Sequence, residues 1–191
     1  FKPIYIKRSE RDALVDFGQN MAGVLHLRVK GKAGTCVTLR HGEMLDNDGN
    51  LYTENLRSAL STDTLILSGG EDDFVPMFTY HGFRYAQISS DEPVEILSLE
   101  AQAVHNKLKT TGEFTCSSAL INRIFKNVCW SMNSNFVSIP TDCPQRDERL
   151  GWLADAHLFA RTAMYNRDCE KFYRRYLCDV SDAATEEGVT D

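Results

Sequence analysis

Gly23-Val24-Leu25-His26-Leu27-Arg28-Val29-Lys30 decides the reading of the first half of the chain. Leu25, Leu27 and Val29 fall on one side of an extended segment, and His26 and Arg28 on the other. That period of two is what a strand with one buried face requires. Thr35–Glu43 (TCVTLRHGE) repeats the logic after the turn Gly31-Lys32-Ala33-Gly34. Further strands are expected over Ala13–Phe17, Asp63–Leu67, Phe83–Ser89 and Val94–Val104. Between them lie DNDGN at 46–50, SGGEDD at 68–73 and SSDEP at 89–93, all rich in turn formers. Many short strands parted by turns predict an antiparallel, jelly-roll-like β-sandwich over residues 1–107.

Near residue 108 the period changes. Hydroxyls at Thr115, Ser117 and Ser118 suit a helix N-cap. Leu120, Ile121, Ile124, Phe125 and Val128 then follow at i, i+3 and i+4, which predicts a helix over Ala119–Phe136. Two more helices are expected over Arg149–Tyr165 and Cys169–Ala184, with Phe172, Tyr173, Tyr176 and Leu177 on one face of the last. Pro140 and Pro144 bar a continuous helix between the first two. Three helices around a polar loop make a poor core by themselves. With the absent initiator Met, this reads as a piece of a longer protein whose bare helix faces favour homo-oligomers.

At about 150 residues per domain, the 191 residues amount to one domain or two small ones. With 21 basic and 27 acidic residues the net charge is −6, which argues against nucleic acid and anionic membranes as partners. No apolar run approaches the ~20 residues of a membrane span. FKPIYIKRSE does not read as a secretory leader. The six cysteines show no C-x-x-C spacing and no zinc-type cluster with histidine. They read as reduced thiols, which slightly favours the cytoplasm, although an even count leaves disulfides open. No cofactor and no metal site is expected.

The chemistry concentrates in Thr141–Ala156 (TDCPQRDERLGWLADA), which packs four carboxylates, two arginines and one Trp into 16 residues. If a helix begins near Glu148, then Glu148, Trp152 and Asp155 share a face. A carboxylic acid can protonate a glycosidic oxygen, other carboxylates can hold sugar hydroxyls, and an indole stacks on the C–H face of a sugar ring. The plainer alternative stands beside this. Asp147 and Glu148 can serve the helix dipole, Arg146 and Arg149 can pair with them, and Trp152 can be core.

TDCPQRDERLGW-x-x-DA resembles the signature of bacterial α-L-rhamnosidases, the family 78 glycoside hydrolases. VTLRHGEMLDNDGNLYTENLRSALSTDTLILSG and FVPMFTYHGFRYAQIS are similar to the β-sandwich domain that precedes the catalytic domain there, and TGEFTCSSALINRIFKN to the entry into that domain. The resemblance spans about Val15 to Asp168. It implies that residues 108–191 begin an (α/α)6 barrel and that the reaction, release of terminal α-L-rhamnose, inverts the anomeric centre. Glu148 matches the general acid, and Asp142 and Asp155 match carboxylates that bind rhamnose hydroxyls. Arg146 and Trp152 match pocket residues, and Asp147 and Arg149 suggest structural pairing. Leu153-Ala154 stands where many relatives have Thr-Gly. The general base implied by the family is a Glu far downstream. Glu186 and Glu187 lie too early to match it, so the isolated chain is expected to be inactive.

Elsewhere the signals are weaker. His41, Glu43, Tyr80, His81 and Arg84 are polar residues in the sandwich half. Thr79–Tyr85 reads as an interface between sandwich and barrel, with Gly82 at a tight turn, or as a sugar-binding surface. Asp46, Asp48 and Gly49 lack the terminal Glu of a calcium loop and read as a turn. Cys143 reads as a packed thiol. The competing functional class is a non-catalytic module, in which the sandwich binds carbohydrate or serves as a scaffold.

Overall fold

The computed structural model describes residues 1–185 and 188. Glu186 and Glu187, set aside above as bases, lie outside the described residues. In chain order the strands are β1 (Ile4–Arg8), β2 (Asp12–Lys30), β3 (Cys36–Gly42), β4 (Met44–Leu45), β5 (Leu51–Tyr52), β6 (Thr62–Ile66), β7 (Glu71–Phe74), β8 (His81–Ser90) and β9 (Glu95–Ala103). Then come α1 (Ala119–Asn135), the short pair β10 (Phe136–Val137) and β11 (Ile139–Pro140), α2 (Leu153–Asn166) and α3 (Glu170–Asp182). The chain divides into two compact units. One is Phe1–Val104 with Pro144–Asp147; the other is His105–Cys143 with the chain from Glu148 onward.

The first unit is a seven-stranded antiparallel sheet organised by β2. The early part of β2 pairs with β1 and β8, and its later part, Gly23–Lys30, with β9 and β7. β3 lies between β8 and β6. The alternation in Gly23–Lys30 works as expected: Leu25, Leu27 and Val29 have no exposed surface, whereas Arg28 is exposed. Val15, Val37, Leu39, Phe83, Ala86 and Ile88 complete the same core.

The segments expected at Ala13–Phe17 and Gly23–Lys30 are one 19-residue strand. The β2–β8 register shifts between Asp16 and Met21, and Gly18 takes φ +72° there. This irregularity bends the strand without ending it. Asp16 receives a two-pronged ion pair from Arg84, at 2.8 and 2.7 Å, and also the Gly18 N–H at 2.6 Å. Gly82 lies within β8, not in a turn.

The second unit packs around Met132, Phe136, Ala163, Cys169 and Phe172. The rings of Phe136 and Phe172 stack at 4.3 Å, with Phe159 edge-on to Phe136. Ser118 caps α1 by accepting the Ile121 N–H. Several apolar positions of α1 stay uncovered, however: Leu120 is 70% exposed and Ile124 52%. None of the six cysteines is disulfide-bonded.

Candidate functional site

The loop from Thr141 to Trp152 is closed by its own backbone. Asp142 N–H donates to Leu150 C=O at 2.9 Å, and Arg149 N–H to Asp142 C=O at 3.0 Å. Cys143 and Arg149 adopt φ +51° and +61°, a region that breaks a helix. Helix α2 therefore starts at Leu153, four residues later than expected. Glu148 and Trp152 precede it, so they do not share a helical face with Asp155. They meet directly instead: Trp152 Nε1–H donates to Glu148 Oε1 at 2.6 Å. Gly151 is closely packed: a Cβ there would lie 3.0 Å from Ile139 Cδ1 and 3.1 Å from the Tyr176 ring, and both side chains would have to shift. Tyr176 Oη anchors the turn by donating to Gly151 C=O at 2.6 Å.

Beside this loop the helical unit contains a cavity of about 410 Å3. Asp142, Trp152 and Asp155 line it, among Met132, Phe136 and Phe159. A concave apolar wall with a few convergent polar groups is the usual form of a small-molecule site. Asp142, Cys143 and Glu148 each bring one oxygen or sulfur within 4.8 Å of the others. The Cys143 thiol donates to Asp142 Oδ2 at 3.3 Å, so it is tied into the loop as a packed thiol. Two carboxyl groups, Asp142 and Asp155, and the Trp152 indole thus line one cleft, and Glu148, which does not line it, is tied to it through the indole N–H. That arrangement can hold a polyhydroxylated ring and deliver a proton to it.

Tyr173 also lines the cavity, and its sequence pattern suggested only a helix face. Its hydroxyl is buried with no hydrogen-bond partner. Burial first, then the neighbouring Cys169 and Tyr176, push its pKa up to about 12. The i, i+3 spacing of Tyr173 and Tyr176 carried the packing signal but nothing to single out the polar end.

Residues 144–147, in the middle of the motif, pack with the sheet unit. Gly82 on β8 faces Gln145 so closely that a Cβ would lie 2.8 Å from the Gln145 Cα and N. Asp147 accepts from Arg57 Nε at 2.7 Å and from the Ser58 hydroxyl. Those two bonds, the Ser58 one first, hold its carboxyl below the usual range. Asp147 is thus structurally paired as expected, but with Arg57. Arg146 belongs to this same segment and does not line the cavity.

Two family models match the chain. One, described as a bacterial alpha-L-rhamnosidase concanavalin-like domain, covers residues 6–107. The other, a bacterial alpha-L-rhamnosidase six-hairpin glycosidase domain, covers residues 109–191. The chain is 44% identical over 179 residues to an alpha-L-rhamnosidase of Streptomyces avermitilis, covering 92% of this chain and 17% of that protein. Its structure is similar to that of an alpha-L-rhamnosidase from Dictyoglumus thermophilum, with a TM-score of 0.91, 43% identity, and coverage of 97% of this chain and 21% of that one. A Streptomyces avermitilis alpha-L-rhamnosidase crystallised with L-rhamnose gives 0.87 and 42% identity, over 95% of this chain and 18% of its own. The chain thus spans about a fifth of the length of these relatives.

Proposed function

Starting from the membership of this chain in the bacterial α-L-rhamnosidase family, we propose that its residues form part of an inverting glycoside hydrolase that releases terminal α-L-rhamnose. Residues 1–107 are the sandwich domain of that enzyme, and residues 108–191 begin its helical catalytic barrel. The observation that carries the reading is the bond from Glu148 to Trp152, whose indole lines a cleft together with Asp142 and Asp155.

Glu148 is the general acid. The indole N–H holds Oε1, which fixes the direction in which the carboxyl presents its proton. Protonating the glycosidic oxygen lets the aglycone leave as a neutral alcohol while positive charge builds on the sugar ring. Asp142 and Asp155 accept hydrogen bonds from rhamnose hydroxyls, and Trp152 covers an apolar face of the ring. Arg146, which does not line this cavity, is given no part in the step. Inversion needs a second carboxylate about 6.5–9.5 Å from the acid to activate water. None of the described residues is assigned that role, so the 191-residue chain alone is expected not to turn over. The substrate class is rhamnose-containing glycosides.

The test is Glu148→Gln in a protein of the relatives' length that carries these residues. A lost general acid costs about 100- to 10,000-fold in kcat. The loss should be larger on an alkyl α-L-rhamnoside, whose poor leaving group needs the proton, than on a dinitrophenyl rhamnoside, whose leaving group does not. Equal losses on both substrates, or an unchanged rate, would overturn the acid assignment.

A further inference from the structure

The sheet unit holds a group of titratable side chains that sugar hydrolysis does not use. His41 on β3, Asp63 on β6 and His81 on β8 each offer one ligand-type atom, and the three atoms lie within 4.8 Å of one another. The cluster is closed off from solvent. The His41 side chain is 0% exposed, that of His81 9% and that of Asp63 10%. The two imidazole rings stack at 4.1 Å.

The hydrogen positions follow from the partners. His41 Nδ1 lies 3.0 Å from the Ser61 carbonyl oxygen, which can only accept, so Nδ1 carries a proton. In the neutral ring Nε2 is then a bare lone pair. It lies 3.8 Å from Asp63 Oδ2, and both atoms are buried without a hydrogen-bond partner. Protonating Nε2 does not resolve the contact, since 3.8 Å is beyond hydrogen-bond reach. Two acceptors thus face each other in a buried place, which is costly unless a cation lies between them. His81 Nε2 lies 3.0 Å from the other Asp63 oxygen, Oδ1, and is the third ligand-type atom of the group.

We propose that His41, Asp63 and His81 bind one divalent transition-metal ion of the Zn2+ class, which staples β3, β6 and β8 together. Tetrahedral ligands at about 2.0–2.1 Å from zinc stand roughly 3.3 Å apart. One ligand-type atom from each residue lies within 4.8 Å of the others, so small side-chain shifts bring the three to that spacing. Two imidazoles and one carboxylate suit zinc better than calcium or magnesium, which prefer all-oxygen shells. The Nδ1–H bond of His41 to a backbone carbonyl is the outer bond that metal-bound histidines make. With three strands supplying the ligands and all three side chains buried, the ion has a structural role. It lies one residue from Gly82, which abuts Gln145.

The experiment uses the whole chain, stripped of metal by a chelator, and titrates it with Zn2+ by calorimetry and with Co2+ by absorption spectroscopy. The expected result is one ion per chain and visible Co2+ bands without thiolate-to-metal charge transfer. Asp63→Asn and His41→Gln should each weaken binding by at least the roughly 10- to 100-fold that even outer-shell changes cost. His26→Gln, in the exposed His26–Asp73 pair, should leave affinity unchanged. Absence of binding, a thiolate band that moves the ion to the cysteines, or full affinity in Asp63→Asn would each overturn the proposal. If circular dichroism shows His41→Gln to be unfolded, the isosteric Asp63→Asn and the Co2+ spectrum of the unmodified chain decide.

Discussion

The sheet unit and the helical unit treat their apolar residues in opposite ways. Leu25, Leu27, Val37, Leu39 and Phe83 are wholly buried among strands of their own unit. In the helical unit Leu120 is 70% exposed, Leu158 78%, Tyr165 68% and Leu177 61%. An antiparallel sheet finds cover within about a hundred residues, because each strand brings its partners with it. A helix carries an apolar stripe that only another packed element can cover. The candidate catalytic cleft lies in the less covered unit, and the segment 144–147 from the middle of its motif packs with the well-covered one.

The sharpest way to break this contrast is Phe83→Ala. Phe83 is fully buried, edge-on to Phe17 at 5.8 Å and to His41 at 4.9 Å. Its truncation should cost about 3–5 kcal/mol in urea unfolding. A cost below 1 kcal/mol would mean that the sheet unit is no better packed than the helices. Gly82→Ala comes next, at about 1–3 kcal/mol. The added methyl meets the Gln145 backbone at 2.8 Å, and strand β8 has little room to retreat. Amide exchange should rise at 144–147 and stay unchanged at β9. Protection that is unaltered at 144–147 would show that the close approach is not needed to hold this segment.

A smaller effect belongs to the bulge in β2. Arg84 holds the Asp16 carboxyl below its ordinary pKa, so the folded form binds this proton less well than the unfolded chain does. The stabilisation is therefore present above about pH 4, the unfolded carboxylate value, and is lost as pH falls below it. For this partly buried pair, with Arg84 41% and Asp16 17% exposed, it is about 1 kcal/mol. Arg84→Gln should flatten the fall of the urea midpoint between neutral and acid pH; an unchanged slope would count against the pair.

How much of this could be read beforehand depends on how local the cause is. The strands at Cys36–Gly42, Thr62–Ile66 and Glu95–Ala103 follow from alternation and lie within a residue of expectation. β1 escapes notice because IYIKR leaves nearly every side chain exposed, so burial imposes no period on it. β2 reads as two strands because Gly18-Gln19-Asn20 carries turn chemistry, and only the pairing with β8 shows that the chain continues. In the candidate site, Asp142, Trp152 and Asp155 are legible as one motif because they are close in sequence. The late start of α2 is not, since nothing in Arg149 announces a positive φ. His41, Asp63 and His81 come from three strands some 20 residues apart, and only the sheet register assembles them.

The smallest change in stability tests the other side of the contrast. Leu120 on α1 and Leu158 on α2 are 70% and 78% exposed, so Leu120→Lys with Leu158→Lys should alter folding stability by no more than about 0.5 kcal/mol per site. The same pair should change association strongly. Leu120, Leu158, Tyr165 and Leu177 leave apolar side chains of the three helices against water, and a second copy of the chain can cover them. Sedimentation of the unaltered chain should therefore show mass increasing with concentration, and the doubly substituted chain should remain monomeric over the same range. A monodisperse monomer before substitution would mean that these side chains, though exposed, are too scattered to act together. The contrast between the units would then be one of packing density rather than of an interface left open.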